Sequence, residues 1–317
     1  MFNIYMKTIN LDNIKPLNIN LKKEFNFPKL NNMPPSNSEL PYFNATLIGS
    51  RGTGKTHLCL EMLENYKDIY NKFYVISPTR KTDQKVKVFF EGLEQKEDKK
   101  IIYFDELNEH NLREVMDDLK ADIEYWKKYM KIKKLIDKVK KFGSKNLSDE
   151  ELEDLMSLLL FDDEEDIKLD DLDEVLNAFE PFIRTDYPVM SMLIIDDSYG
   201  CKLLTKTQGS NPFIQYFIKH RHYFCSNMLL IQSISGIPRA IRSNTTIFLA
   251  FSVKSIRDRD ILYQEVDNIF PNKNDFIELM NHADTIDFGF LYLDLTSTKR
   301  PDIRVGLRQK IEINNVL

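Results

Sequence analysis

The residues Gly49-Ser50-Arg51-Gly52-Thr53-Gly54-Lys55-Thr56 fit the pattern G-x-x-x-x-G-K-[ST], a loop that cradles phosphate. The glycines permit backbone angles closed to other residues and keep side chains away from an approaching anion. The loop N–H groups and the positive end of a following helix hold that anion. In such a loop Lys55 reaches the β- and γ-phosphates of ATP, and the Thr56 hydroxyl binds Mg²⁺. The chemistry also needs an acid at the end of a neighbouring strand, to hold the metal and direct water. Two stretches have the right form, Ile101-Ile102-Tyr103-Phe104-Asp105-Glu106 and Met192-Leu193-Ile194-Ile195-Asp196-Asp197. Pattern alone slightly favours the first, because glutamate is the commoner water-activating residue. Context favours the second. It is more purely apolar, and one helix later comes a strand ending in a polar residue, Gln232. Asp196 is therefore assigned to Mg²⁺, directly or through water. Asp197 is assigned to orienting the attacking water, and Gln232 to sensing the γ-phosphate. Arg221, Arg239 and Arg242 are the candidates for adding positive charge to the transition state.

These groups need a frame, and the surrounding sequence supplies one. Ala45 to Ile48 reads as a buried strand, and His57 to Tyr66 keeps Leu58, Leu60, Met62 and Leu63 at near-helical spacing without proline. Further strands are expected over 72–78, 100–106, 189–195, 227–231, 246–251, 287–295 and 303–307, the last two as a hairpin. Helices are expected within 79–93, at 211–221, and over 255–280 with a break at Pro271. Alternating strands and helices after a phosphate loop indicate an α/β fold with a mostly parallel sheet covered on both faces. The continuous apolar runs suit strands buried on both sides. Residues 1–40 read as an N-terminal arm, and 41–317 as one domain carrying a charged helical insertion at about 110–186. Lys127 to Lys141 in that insertion is strongly basic, and 149–186 is strongly acidic.

Composition sets outer limits. The chain has 317 residues, 42% hydrophobic and 29% charged, which is ample for a large core. The net charge of −5 gives no global signal for nucleic acid, but it leaves room for a local basic surface or channel lining. Cys59, Cys201 and Cys225 form no metal-like pair and read as small buried hydrophobes in a reducing compartment. No apolar run reaches the length of a membrane span, and the first 20 residues lack a signal-peptide core, so an intracellular protein is expected.

Four segments in this order carry a family resemblance: GSRGTGKT at 49–56, LIIDD at 193–197, RHYFCSNMLLIQS at 221–233 and IPRAIRSN at 237–244. Over about 42–310 the chain resembles the FtsK/HerA branch of P-loop motor ATPases. Within that branch it looks most like the DNA-packaging ATPases of poxviruses, nucleocytoplasmic large DNA viruses and virophages. The resemblance implies a RecA/FtsK-like P-loop NTPase of the additional-strand type. It also implies a hexameric or pentameric ring that hydrolyses ATP with Mg²⁺ and threads double-stranded DNA without regard to sequence. ATP would sit between subunits, and Arg221 of one subunit would reach the γ-phosphate held by its neighbour. Gln232 would couple that phosphate to channel loops, with Lys202, Lys206, Arg239 and Arg242 as candidates to face the pore. Capsid or virion proteins would be partners, and the site of action would be the host cytoplasm where virus assembles, or the virion. The insertion and residues 1–40 match no shared motif of that family.

Other classes fit less well. A nucleotide kinase needs an arginine-rich lid, and the insertion is instead rich in acids and lysines. A helicase normally brings a second motor domain, and no second phosphate loop occurs. Another P-loop DNA-dependent ATPase, such as a helicase-like or a partitioning or DNA-transfer motor, remains the alternative. A non-catalytic scaffold would not need Lys55, Thr56, Asp196, Asp197 and Gln232 together.

Overall fold

The computed structural model describes residues 42–78, 83–96, 98–143, 147–148, 150–151, 169–198, 200–205, 211–296 and 301–311. The arm at 1–40 lies outside the described residues, as do 149 and 152–168 of the acidic stretch and Lys206. Nine strands form one sheet: β1 (Asn44–Ile48), β2 (Lys72–Ile76), β3 (Lys100–Phe104), β4 (Ser191–Ile195), β5 (Cys225–Ile231), β6 (Ile247–Ala250), β7 (Leu291–Asp294), β8 (Asp302–Val305) and β9 (Gln309–Ile311). Their order is β3-β2-β4-β5-β1-β6-β7-β8-β9. The first six in that order run parallel, and the last three add on antiparallel. The chain therefore has the α/β P-loop fold with a mostly parallel sheet. The hairpin expected from the sequence is the β7–β8 pair, but β9 extends it by a strand that three residues were too few to announce.

The central strands are apolar on both sides and buried throughout, as parallel strands must be when helices cover both faces. On one face lie α1 (Lys55–Tyr66) and α2 (Gln84–Glu94), packing Leu58, Met62, Val86 and Phe90 against Leu47, Phe73, Val75 and Ile194. The other face is covered by the start of α3 (Glu109–Phe142), which lies in the connection between β3 and β4. There it is joined by α6 (Pro212–Lys219), α8 (Ile256–Val266) and α9 (Lys273–Asp284). The described residues also include three shorter helices, α4 (Leu169–Asn177), α5 (Lys202–Thr205) and α7 (Arg239–Arg242). The break expected at Pro271 falls between α8 and α9, where Asn272 caps the new helix by accepting from Asp275 N at 3.1 Å.

Helix α3 explains much of the charged region. Asn108 caps it, accepting from Asn111 N at 2.8 Å, and Lys140 and Lys141 sit in the last turn, where cations suit the helix dipole. Its first buried residues, Leu112, Val115 and Leu119, belong to the core beneath the sheet. Its later ones, Trp126, Tyr129, Ile132, Ile136 and Val139, form a separate cluster with Phe179, Phe182, Ile183 and Val189. With 34 residues it is about 50 Å long, well beyond the sheet. At the crossover, the fully buried ammonium of Lys72 on β2 meets Asp122 at 2.6 Å and Asp118 at 2.8 Å, both on α3. Burial still lifts the Asp122 carboxyl above its ordinary range, against the pull of Lys72. A charge so enclosed makes this contact obligatory, since removing either partner strands the other away from water.

Candidate functional site

The phosphate loop connects β1 to α1 at the carboxyl edge of the parallel strands, where ligands bind in open α/β sheets. Its glycines have distinct reasons. Gly52 and Gly54 hold φ of 80° and 101°, in the left-handed region that glycine tolerates. Gly49 has no room for a side chain, since a Cβ there would come within 2.7 Å of Thr53 Oγ1 and 2.8 Å of Phe251 Cβ. Gly54 is the N-cap of α1 and offers no side-chain cap, so the first N–H groups of the helix stay open for an anion. Lys55 turns back over the loop, its Nζ donating to the carbonyls of Gly49 at 2.7 Å and Ser50 at 2.9 Å. Thr53 Oγ1 donates to Ser50 O at 2.9 Å and tightens the same turn. Arg51 is exposed at the tip.

The strand order decides which acid can serve this loop. β5 lies directly beside β1, and β4 lies next to β5, so Asp196 and Asp197 are two strands, about 10 Å, from β1. The inserted strand is the one that ends in Gln232. Thr56 Oγ1 donates to Asp196 Oδ2 at 3.3 Å, so loop and acid touch. Gln232 Nε2 donates to Asp197 Oδ1 at 3.2 Å, so acid and amide touch as well. Asp197 has φ of 50°, which an aspartate adopts more readily than most residues, and it stands exposed while Asp196 is half-buried. Burial first, then the neighbouring Asp197 charge, lifts the Asp196 carboxyl above the ordinary range. Burial lowers the Lys55 ammonium, opposed by the two aspartates.

A second cation would relieve this crowding of negative charge. Thr56 and Asp196 present adjacent oxygens of the type Mg²⁺ prefers, and Mg²⁺ held with a triphosphate needs only one or two carboxylates. Among the described residues no three acidic, histidine or cysteine side chains converge to hold a metal without a ligand.

The other sequence candidates lie elsewhere. β3 is at the sheet edge, four strands and about 19 Å from β1. Glu106 accepts from Asn108 Nδ2 at 2.6 Å, and its carbonyl accepts from Asn111 Nδ2 at 2.9 Å, so it serves the start of α3. Arg221 sits in the single helical turn His220–Tyr223 that precedes β5, with its side chain exposed. The seven-residue β5, about 20 Å long, separates it from Gln232. The structure does not bring Arg221 to the loop of its own chain. Arg242 is occupied within the fold, pairing with Glu265 at 2.9 Å and donating to Ile237 O at 2.7 Å. Arg239 and Lys202 are exposed on α7 and α5.

Sequence reasoning missed the residues behind the site. Phe251 ends the β6 run and walls both Gly49 and Gly54. Asp258 on α8 is buried and accepts from Ser233 Oγ at 2.9 Å and Ser235 N at 3.1 Å, which ties the exit of β5 to that helix. The only local sign was the run of serines after Gln232.

No family model matches the sequence, and no curated protein does. Among solved structures the chain is similar to the genome packaging NTPase B204 from Sulfolobus turreted icosahedral virus 2, in complex with AMP. The identity is 12%, over 84% of this chain and 96% of that one, with a TM-score of 0.46. It is similar to EssC (ATPases 2 and 3) from Geobacillus thermodenitrificans, at 13% identity over 86% of this chain and 39% of that one, with a TM-score of 0.41. It is also similar to the pCW3 conjugation coupling protein TcpA with ATPγS, at 14% identity, 86% and 60% coverage and a TM-score of 0.34. Likenesses this distant carry no argument about activity, which has to come from the site itself. Among the described residues no helix is long and apolar enough to cross a membrane.

Proposed function

We propose that the chain is an ATP-driven motor that moves double-stranded DNA, packaging a viral genome into preformed capsids as one subunit of a pentameric or hexameric ring. The observation that carries the reading is the division of the apparatus between the two ends of β5. Phosphate loop, acids and Gln232 meet at one end, and an exposed Arg221 stands at the other. Such a site is complete for binding and incomplete for charge stabilisation until another copy supplies its arginine. The four sequence segments shared with viral packaging ATPases support the choice of DNA as cargo.

In this reading Lys55 leaves the Gly49 and Ser50 carbonyls for the β- and γ-phosphates of ATP. Thr56 and Asp196 hold Mg²⁺, which supplies charge neutralisation on the phosphates when bound. Asp197 orients and deprotonates the attacking water, and Gln232, hydrogen-bonded to Asp197, registers whether the γ-phosphate is present. The neighbour's Arg221 offsets charge on the transferring group, a contribution worth about 10³–10⁵ in rate where such arginines act. Loss of phosphate frees Gln232 and passes through Ser233 and Asp258 to α8. DNA contacts would be local, sequence-independent and weakened by salt.

The test is ATPase activity with and without long double-stranded DNA, together with the mass of the assembly. A ring whose hydrolysis rises with DNA of any sequence is the expected result. A monomer inactive with and without DNA overturns the reading, and strand separation in place of translocation redirects it to a helicase. Mixing Lys55→Ala and Arg221→Ala subunits should restore activity to some interfaces. Mixtures that never recover any show that Arg221 does not act across subunits.

A further inference from the structure

Phe288 is a large apolar side chain left 73% exposed beside the phosphate loop. Its backbone is left-handed, with φ of 56°, an uncommon state for a bulky residue. The turn that imposes this is tightly fixed. Gly289 N donates to Ile286 O at 2.8 Å, Ile286 N donates to Ala283 O at 3.1 Å, and a Cβ at Gly289 would collide with the Ala283 carbonyl. In the turn after β8, Gly306 N donates to Phe290 O at 2.8 Å. Behind the turn, the buried rings of Phe251 and Phe290 pack with centroids 5.1 Å apart. The chain thus holds an aromatic ring out to solvent on a rigid support.

Its position follows from topology. β5 and β6 flank β1 on opposite sides. Because β7 runs antiparallel to β6, the turn entering β7 reaches the same sheet edge as the ends of β1 and β6. A Cβ placed on Gly54 would lie 3.4 Å from Phe288 Cδ1 and 3.6 Å from Phe251 Cε1, so the ring borders the start of α1. A triphosphate whose γ end faces Asp196, Asp197 and Gln232 on the β5 side has its nucleoside end on the β6–β7 side. We propose that Phe288 is the platform on which the base of the bound nucleotide stacks, an aromatic base subsite adjoining the loop. The inference rests on reading Gly49–Thr56 as a triphosphate loop.

Stacking on a ring face recognises any base, so the subsite holds purines without selecting among them. The test is equilibrium binding of ATP, GTP and inorganic tripolyphosphate, each with Mg²⁺, to full-length wild type, Phe288→Ala and Phe288→Trp. The expected result is ATP and GTP weakened about tenfold by Phe288→Ala, with tripolyphosphate unchanged, since one base–aromatic stack has that order of effect. Phe288→Trp should retain affinity, and its fluorescence should respond to ATP but not to tripolyphosphate. Equal ATP affinity in Phe288→Ala overturns the subsite. So does an equal loss for ATP and tripolyphosphate, which would mean that Phe288 only braces the loop. Wild-type binding of tripolyphosphate verifies the loop on its own; a wild type that binds neither ligand overturns both readings.

Discussion

Two strands in this sheet end in the same way, with four apolar residues and then a pair of acids. Asp105-Glu106 follows β3, and Asp196-Asp197 follows β4. Their fates differ because of their neighbours. β4 is separated from the loop strand by β5 alone, and its first aspartate touches Thr56. β3 is at the edge, partly exposed along its length, and Glu106 is engaged with the cap of α3. An acid at a strand end becomes a metal or water ligand only where strand order carries it to the phosphates.

The largest expected effect separates the two ends outright. Asp197→Asn should reduce steady-state ATP hydrolysis by about 10²-fold or more, as removal of a general base does, while Glu106→Gln stays near wild type. The reverse result would move the catalytic assignment to β3. A smaller effect, about tenfold, is expected of Gln232→Ala. Its partner is Asp197, so in the double variant the second change should add little to the first. Full additivity would break the proposed pairing.

Acidity sharpens the comparison further. In the proposed site Mg²⁺ would bind the carboxylate form of Asp196, whose proton affinity is raised by burial and by Asp197. Metal affinity in the presence of nucleotide should therefore be full above that raised value and fall as pH drops through it, in a window above the ordinary carboxylate range. Without metal the sign reverses. The folded state then holds the proton more tightly than the unfolded chain, so this group's contribution to stability declines as pH rises through the same window. Asp196→Asn should flatten both trends, and Asp105→Asn neither.

A control at the other end of β5 sets how far down in pH such titrations extend. Buried His220 has Nδ1 2.7 Å from Cys225 O, and burial lowers its pKa to about 4. Its neutral form is the folded one. The stability it confers is complete above the unfolded value of about 6.5 and is lost as pH falls toward about 4, on the order of 3 kcal/mol in all. Urea midpoints that fall over this window in wild type, and less steeply in His220→Asn, would bear this out.

The loop, α1 and the acidic ends could be read in the sequence because each is a local pattern: glycines at fixed spacing, an apolar run, then charge. What brings one acidic end to the phosphate loop is pairing between β4, β5 and β1, across more than 140 residues of chain, and no local pattern records it. The choice of Asp196 and Asp197 rested on the strand ending in Gln232 that follows, which is an indirect trace of strand order. Phe288 left no trace, since in the sequence it falls inside the strand expected over 287–295, one aromatic among several, whereas β7 begins only at Leu291. The charged helical insertion expected from about 110 likewise gave no sign that α3 leaves the core after Leu119.

That departure has a mechanical consequence. Lys72 and the two aspartates pin α3 to β2 about a third of the way along it, and the rest of the helix extends about 30 Å past Asp122. A tilt of about 5° at the pin would swing the far end, near Phe142, by about 3 Å. Whatever touches that end is coupled by a stiff lever to the sheet strand beside β4, and a label at Phe142 would magnify strand movements too small to follow at the site itself.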